Sequence, residues 1–341
     1  MSGSRRAGVR VVVSLAIAAT LLLVAGYIAG PERLGPVALA QYVPSPLLMA
    51  PALAGLALSA ALTWRWRLGA LLAAGLAATY LLGLEVGRAD AGSGRLRVMT
   101  WNVKDYITLG ERGGLAAIAA EIDRHDPDIL ALQDARAMAR IRETNGNARQ
   151  IFANRQTFSF GQYIITSRFP LRNCTRGEIT FREQAHSYVS CTVTVGAVTF
   201  DLFNVHLITP RFGLSATRED PLRGIGQWTQ NVSDRMTQAS RLAADLRGRT
   251  RPVVVVGDLN APDSSLVVRT LLDTGLRDAF ASGGTGFGFT WGHSLRFRQS
   301  FLRIDHVLVG SSFGVANSFT GGASSAHRPV IADLYLHRDP S

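Results

Sequence analysis

A chain of 341 residues with 47% hydrophobic content and two cysteines exceeds a single small domain and excludes a disulfide-built scaffold or a cysteine metal site. Its formal charge is +11 at pH 7, unevenly spread: residues after 94 hold 29 of the 36 basic and 22 of the 25 acidic residues, a balance of +7. That excess suits an anionic partner such as phosphate, nucleic acid or lipid headgroups, and equally suits plain solubility in an arginine-rich chain whose sole lysine is Lys104.

The chain opens with three apolar stretches, at about 9–29, 47–63 and 68–86. Each approaches the ~20 residues that cross a bilayer, which predicts a membrane anchor with three transmembrane helices over residues 1–90. Trp64-Arg65-Trp66-Arg67 pairs interfacial aromatics with arginines between the second and third stretches. Arg5, Arg6 and Arg10 before the first stretch, with Arg65 and Arg67 after the second, place those segments inside. Three crossings then carry the following domain to the extracytoplasmic side of a multi-pass cell-membrane protein. A signal peptide cleaved near Ala38-Leu39-Ala40 is the competing reading, and it leaves two crossings and the same side.

After the flexible spacer Ala91-Gly92-Ser93-Gly94, strands and helices alternate through a domain spanning 95–341. The pattern predicts strands at 95–103, 128–132, 162–166, 187–195, 198–206, 253–256, 303–309 and 329–337. Leu115, Ile118, Ala119 and Ile122 follow helical spacing up to Asp126-Pro127. Ser233 is placed to cap a helix through Leu246, and a further helix spans 264–272. Alternating elements with hairpin-like pairs favour a layered α/β sandwich over a purely parallel sheet.

Strand after strand ends in a residue able to bind metal or move a proton: Asn102, Asp134, His206, Asp258 with Asn260, Asp305 and His327. Residues two apart in extended backbone project to one side, so Asp258 and Asn260 can face one reacting centre. There Asp258 could accept a proton from water, and Asn260 could hold that water or a phosphate oxygen. An Asx-type turn at the strand end also fits Gly257-Asp258-Leu259-Asn260.

Seven segments in order carry a resemblance: Thr100-Trp101-Asn102-Val103, Leu132-Gln133-Asp134, Ser167-Arg168-Phe169-Pro170, Asn204-Val205-His206, Gly257-Asp258-Leu259-Asn260, Arg303-Ile304-Asp305-His306 and Ala326-His327-Arg328-Pro329. Through them the chain resembles the endonuclease/exonuclease/phosphatase (DNase I-like) family. The resemblance implies a four-layer α/β sandwich, which here follows the N-terminal helical transmembrane region read from the apolar stretches. It also implies cleavage of phosphate esters with a divalent metal, Mg2+ or Mn2+. Asn102 and Asp134 would sit at the metal, and His206 and Asn260 would contact the scissile phosphate. Asp258 would orient or deprotonate the attacking water, and Asp305 would hold His327 against charge developing on the phosphate. The chain departs from the family pattern twice: aspartate replaces glutamate at Asp134, and Ser-Asp-His becomes Ser325-Ala326-His327. A binding module that holds phosphorylated ligands without cleaving them is therefore the alternative to a membrane-anchored phosphoesterase acting on nucleic acid or phospholipid.

Two segments read as substrate-facing loops, 209–231 with Arg211, Arg218, Arg223 and Trp228, and 283–301 with Phe287, Phe289, Trp291, Arg296 and Arg298. Cys174 and Cys191 fall on expected neighbouring strands, open to a disulfide or to two buried thiols.

Overall fold

The computed structural model describes residues 3–111, 113–296 and 298–336. The chain divides into two compact units, residues 1–85 with 263–266 and residues 86–262 with 267–341.

The smaller unit is helical. Its first helix, Gly3–Ala29, is followed by helices Ala50–Ser59 and Trp64–Tyr80. Small residues let them approach: Gly55 packs against Ala16, and Val24, Tyr27, Ala52, Ala74 and Ala77 form a common buried cluster. Among the described residues only Gly3–Ala29 is long and apolar enough to cross a membrane. This corrects the expectation of three spans. Ala50–Ser59 has 10 residues and Trp64–Tyr80 has 17. At 1.5 Å per residue these reach about 15 and 25 Å, short of a hydrocarbon core of ~30 Å. The second stretch is divided at Met49 between helices Ser45–Leu48 and Ala50–Ser59 and ends in a turn before Trp64, and Arg65 and Arg67 lie in the first turn of the third helix. Multi-pass topology therefore loses its support.

The larger unit contains two six-stranded mixed sheets. Twelve strands build them: β1 (Arg95–Asn102), β2 (Ile129–Gln133), β3 (Gln156–Phe160), β4 (Tyr163–Ser167), β5 (Leu171–Glu178) and β6 (Ser187–Val195). The remainder are β7 (Val198–His206), β8 (Val253–Asp258), β9 (Arg277–Asp278), β10 (Asp305–Val309), β11 (Phe313–Thr320) and β12 (Val330–Leu336). One sheet has the order β11-β12-β1-β2-β4-β3, the other β9-β10-β8-β7-β6-β5. Each holds one parallel pair, β1–β2 and β7–β8, and its other neighbours are antiparallel.

The period-two alternation of the strands creates the layers. Leu96 and Val98 of β1, Ile129 and Ala131 of β2, Phe200 and Leu202 of β7, and Val254 and Val256 of β8 fill the core between the sheets. Their alternates face outward. Met99, Trp101, Leu130 and Leu132 pack beneath helices Gly114–His125 and Gly146–Phe152. Phe203, Val205 and Val255 pack beneath Ala239, Leu242, Ala243 and Leu246 of helix Pro221–Arg247. The result is a helix–sheet–sheet–helix sandwich with three apolar interfaces.

Segment 209–231 is not a loop. It forms helix Arg211–Glu219 and the first turns of helix Pro221–Arg247, with the Asp220 side chain capping Leu222 and Arg223 and Pro221 in the first turn. Glycine contacts rather than an apolar stripe join the two helices: Gly213 lies on Trp228, and Gly224 on the backbone of Ala216 and Thr217. Cys174 of β5 and Cys191 of β6 are joined in a disulfide.

Candidate active site

The sandwich positions its polar residues by the same alternation. Asn102 ends β1 on the face of Leu96 and Val98, and His206 and Asp258 end β7 and β8 on the faces of Leu202 and Val256. In register, Asp258 lies opposite Asp305 on one side and His206 on the other. Three adjacent strands thus present Asp305, Asp258 and His206 in one row along the rim.

The second sheet closes on that row. Asn102 Nδ2 donates to Asp258 Oδ2 at 2.9 Å, bridging the two sheets. His327 precedes β12, with Nδ1 2.9 Å from Asp305 Oδ2 and 3.8 Å from Asp258 Oδ2. Its segment is pinned to the same rim: Trp101 Nε1 donates to the His327 carbonyl at 2.8 Å, and Ser325 Oγ to that of Asn102 at 3.0 Å. Asp134 follows β2 in a left-handed conformation (φ 50°), with Oδ1 3.8 Å from His206 Nδ1. His206 Nε2 lies 3.5 Å from Asp258 Oδ2. Asn260, also left-handed (φ 49°), donates its backbone N–H to Asp258 Oδ1 at 2.8 Å and its Nδ2 to the Leu207 carbonyl at 2.9 Å. Contacts therefore run unbroken through Asn102, Asp134, His206, Asp258, Asn260, Asp305 and His327.

Ligating atoms of Asp258, Asp305 and His327 lie within 4.8 Å of one another, and all three residues are buried. Burial, reinforced by the Asp305 carboxylate, pushes the Asp258 carboxyl up; His327, His206 and Lys104 oppose this without cancelling it. Burial alone would lower His327, but Asp305 and Asp258 outweigh it and the imidazole is shifted up.

Three contributors were not anticipated. Lys104 sits at φ 40° just past β1, with Nζ 3.5 Å from Asp134 Oδ2. Burial lowers its ammonium pKa, yet Asp258 and Asp134 raise it more, so it stays charged. Gln162 Oε1 is 2.7 Å from His206 Nδ1 and orients that ring. One layer deeper, Gln133 Nε2 donates to Asn204 Oδ1 at 2.7 Å, a buried polar link between the sheets. Only the sole-lysine status of Lys104, two residues past Asn102, was a signal in the sequence.

A cleft of about 850 Å³ opens over the rim. Asp134, His206 and Asn260 reach its floor, while Lys104, Arg182, His186, Arg211 and Phe212 line its walls.

The family model for the endonuclease/exonuclease/phosphatase family matches residues 99–329, all seven rim residues included. The chain belongs to that family. Members of the endonuclease/exonuclease/phosphatase family cleave phosphate esters and are generally dependent on a divalent metal. Solved structures share the fold. An endonuclease/exonuclease/phosphatase from Beutenbergia cavernae DSM 12333 is 19% identical, with 72% of each chain covered and a TM-score of 0.51. One from Bacteroides vulgatus is 14% identical over 72% of this chain and 100% of its own, at a TM-score of 0.56. The 3'-5' exonuclease (NExo) from Neisseria meningitidis is 18% identical over 71% of this chain and 100% of its own, at 0.50. No curated protein sequence matches the chain.

Proposed function

We propose that the chain is a membrane-anchored, metal-dependent hydrolase of phosphodiesters or phosphomonoesters, with residues 1–90 as anchor and 95–341 as catalytic domain. The carrying observation is the row Asp305, Asp258, His206 across three paired strands, faced by Asn102, Asp134 and His327.

The donor set suits Mg2+ or Mn2+. Its donors are mainly hard oxygens, and Asp305 Oδ1 is buried with no hydrogen-bond partner. Asn102 and Asp134 would hold the ion, with Asp258 and Asp305 close by. A bound divalent ion would neutralise charge on the phosphate and polarise it toward attack. Asp258, made more basic by burial and Asp305, takes the proton of the attacking water, while Asn260 and His206 hold the phosphate oxygens. Gln162 fixes the His206 ring. Asp305 fixes His327 and favours its charged form, which offsets negative charge as the ester bond breaks. The full chain in detergent should cleave at least one of a chromogenic diester, DNA, RNA or phospholipid with Mg2+ or Mn2+. Turnover unaffected by chelator would contradict the metal-dependent reading.

Ala326 supports the second reading, a phosphate-binding module. Ser325 and His327 anchor the segment through contacts that do not involve the Ala326 side chain. Ala326→Asp should therefore add a carboxylate without moving the segment, and raise metal-dependent turnover about tenfold or more. A variant with tightened metal binding and still no turnover would favour the binding module.

Helix Gly3–Ala29, with Arg5, Arg6 and Arg10 in its first two turns, supports a single crossing with the amino terminus inside. Exposed Leu15 and Leu22 on that helix suit a lipid-facing surface. The Cys174–Cys191 disulfide supports an oxidising, extracytoplasmic compartment for the catalytic domain. Reporter fusions after residue 94 test the side directly, and a cytosolic signal would contradict it.

A further inference from the structure

The helical pair formed by Arg211–Glu219 and residues 221–231 lies beside the rim and buries Trp228 against Gly213. The residues of helix Pro221–Arg247 that pack into the sheet core, Ala239, Leu242, Ala243 and Leu246, all lie in its second half. Its first turns pack on helix Arg211–Glu219 at backbone distance, because a Cβ at Gly224 would lie 2.3 Å from Ala216 backbone atoms. The pair is thin, tightly locked and placed beside chemistry: Arg211, Phe212, Gly226, Gln227 and Gln230 form one wall of the cleft over His206 and Asn260.

Its outer surface sets large apolar side chains among polar ones. Phe212 is 76% exposed, Leu222 88% and Ile225 41%. Leu222 and Ile225, three apart, share one helix face. Arg211, Arg218 and Arg223 are exposed on the same pair of helices and outnumber the exposed Glu219 and Asp220, the latter 3.7 Å from Arg223. A single-stranded nucleic acid is held by a series of aromatic faces that stack on bases, and here Phe212 offers one while Leu222 and Ile225 offer none. Aliphatic side chains flanked by arginines instead match the boundary between acyl chains and anionic headgroups. The same chain carries the 27-residue apolar helix Gly3–Ala29, long enough to hold it at a bilayer.

We infer that this helical pair seats the catalytic cleft on an anionic lipid surface, so that the substrate is a phosphate ester borne by a membrane lipid. Phe212, shared by wall and outer surface, would accompany the apolar part of the lipid into the cleft, and Arg211 its phosphate. The inference rests on the phosphoesterase reading for its substrate, but lipid seating can be measured without turnover.

Both cysteines are engaged in the disulfide, so Leu222→Cys supplies a single labelling site for an environment-sensitive fluorophore. The full chain would be reconstituted in phosphatidylcholine vesicles with and without 30% phosphatidylglycerol, with Asn147→Cys as an exposed reference. A label at 222 that shifts to the blue and is quenched by lipid-borne quenchers, more so with phosphatidylglycerol, is the expected result. A label at 222 as aqueous as at 147 would overturn the inference. In parallel, Leu222→Asp/Ile225→Asp should lower phosphate-ester release from vesicles at least tenfold and leave a water-soluble chromogenic diester within twofold. An equal loss on both substrates, a loss confined to DNA, or unchanged lipid cleavage would each overturn it. Lipid seating of the label with no hydrolysis of any ester would instead sink the phosphoesterase reading and leave the surface standing.

Discussion

Asp278 shows how single residues support the site without belonging to it. Its Oδ2 accepts from Arg303 Nη1 at 2.6 Å and lies 2.9 Å from His306 Nδ1, while Oδ1 caps Phe280 and Ala281. Burial alone would raise its carboxyl, but Arg303 and His306 outweigh burial and hold it well below the usual carboxylate range. A depressed folded value means stability that is fully present above the unfolded value of ~4 and lost as pH falls toward the folded one. Asp278→Asn should therefore cost about 3–5 kcal/mol at pH 7, because Arg303 is left as a buried charge without its carboxylate. Denaturant unfolding at pH 7 and pH 3 checks this: the gap between wild type and variant should narrow at the lower pH. At this scale the sequence revealed direction better than contact. Asn102, His206 and Asp258 were legible as polar ends of apolar strands, because alternation alone decides which face they share. Lys104 and Gln162 were not, since a left-handed turn and the turn just before β4 aim them, and only tertiary structure fixes where those lead.

Elements with a regular apolar period were read nearly to the residue. Strands at 187–195 and 198–206 and the helix through Leu115 and Ile122 stand where alternation and helical spacing placed them. Strands β3, β9 and β11 escaped notice, and β5 was expected only as a strand through Cys174, without bounds. β3 and β5 lie at sheet edges with most residues at least partly exposed, so their sequences lack strict alternation. β11, also at an edge, carries a register shift between Val315 and Asn317 that breaks the period. The helical pair beside the cleft was misread as a loop because its packing depends on absent side chains, a signal that hydrophobic periodicity does not register. Gly224→Ala should accordingly destabilise the pair by about 1–3 kcal/mol through overpacking against Ala216. Hydrogen exchange should then quicken across 211–230 while β7 and β8 keep their protection.

For the whole molecule, the two sheets matter as a pair. Each contributes part of the rim, and the Asn102–Asp258 hydrogen bond joins them above the Gln133–Asn204 link. Convergence of residues more than two hundred positions apart therefore depends on the sandwich closing correctly, which no local sequence signal reports. Anchor length was misjudged for a related reason: apolar composition sets what can enter lipid, while helix breaks set how far each helix reaches. The central claim is that Asp258 drives phosphate-ester cleavage at this rim. Its most direct measurement is the single-turnover rate of Asp258→Asn against wild type, with saturating Mg2+ or Mn2+ and the best substrate found. The variant keeps the side chain's size but turns its amide nitrogen toward Asn102 Nδ2 or the Asn260 N–H, so its unfolding midpoint is measured beside the rate, and saturating metal and substrate separate lost chemistry from lost binding. A loss of roughly 10²–10⁴-fold is expected from removing a positioned general base; a rate equal to that of wild type would contradict the account.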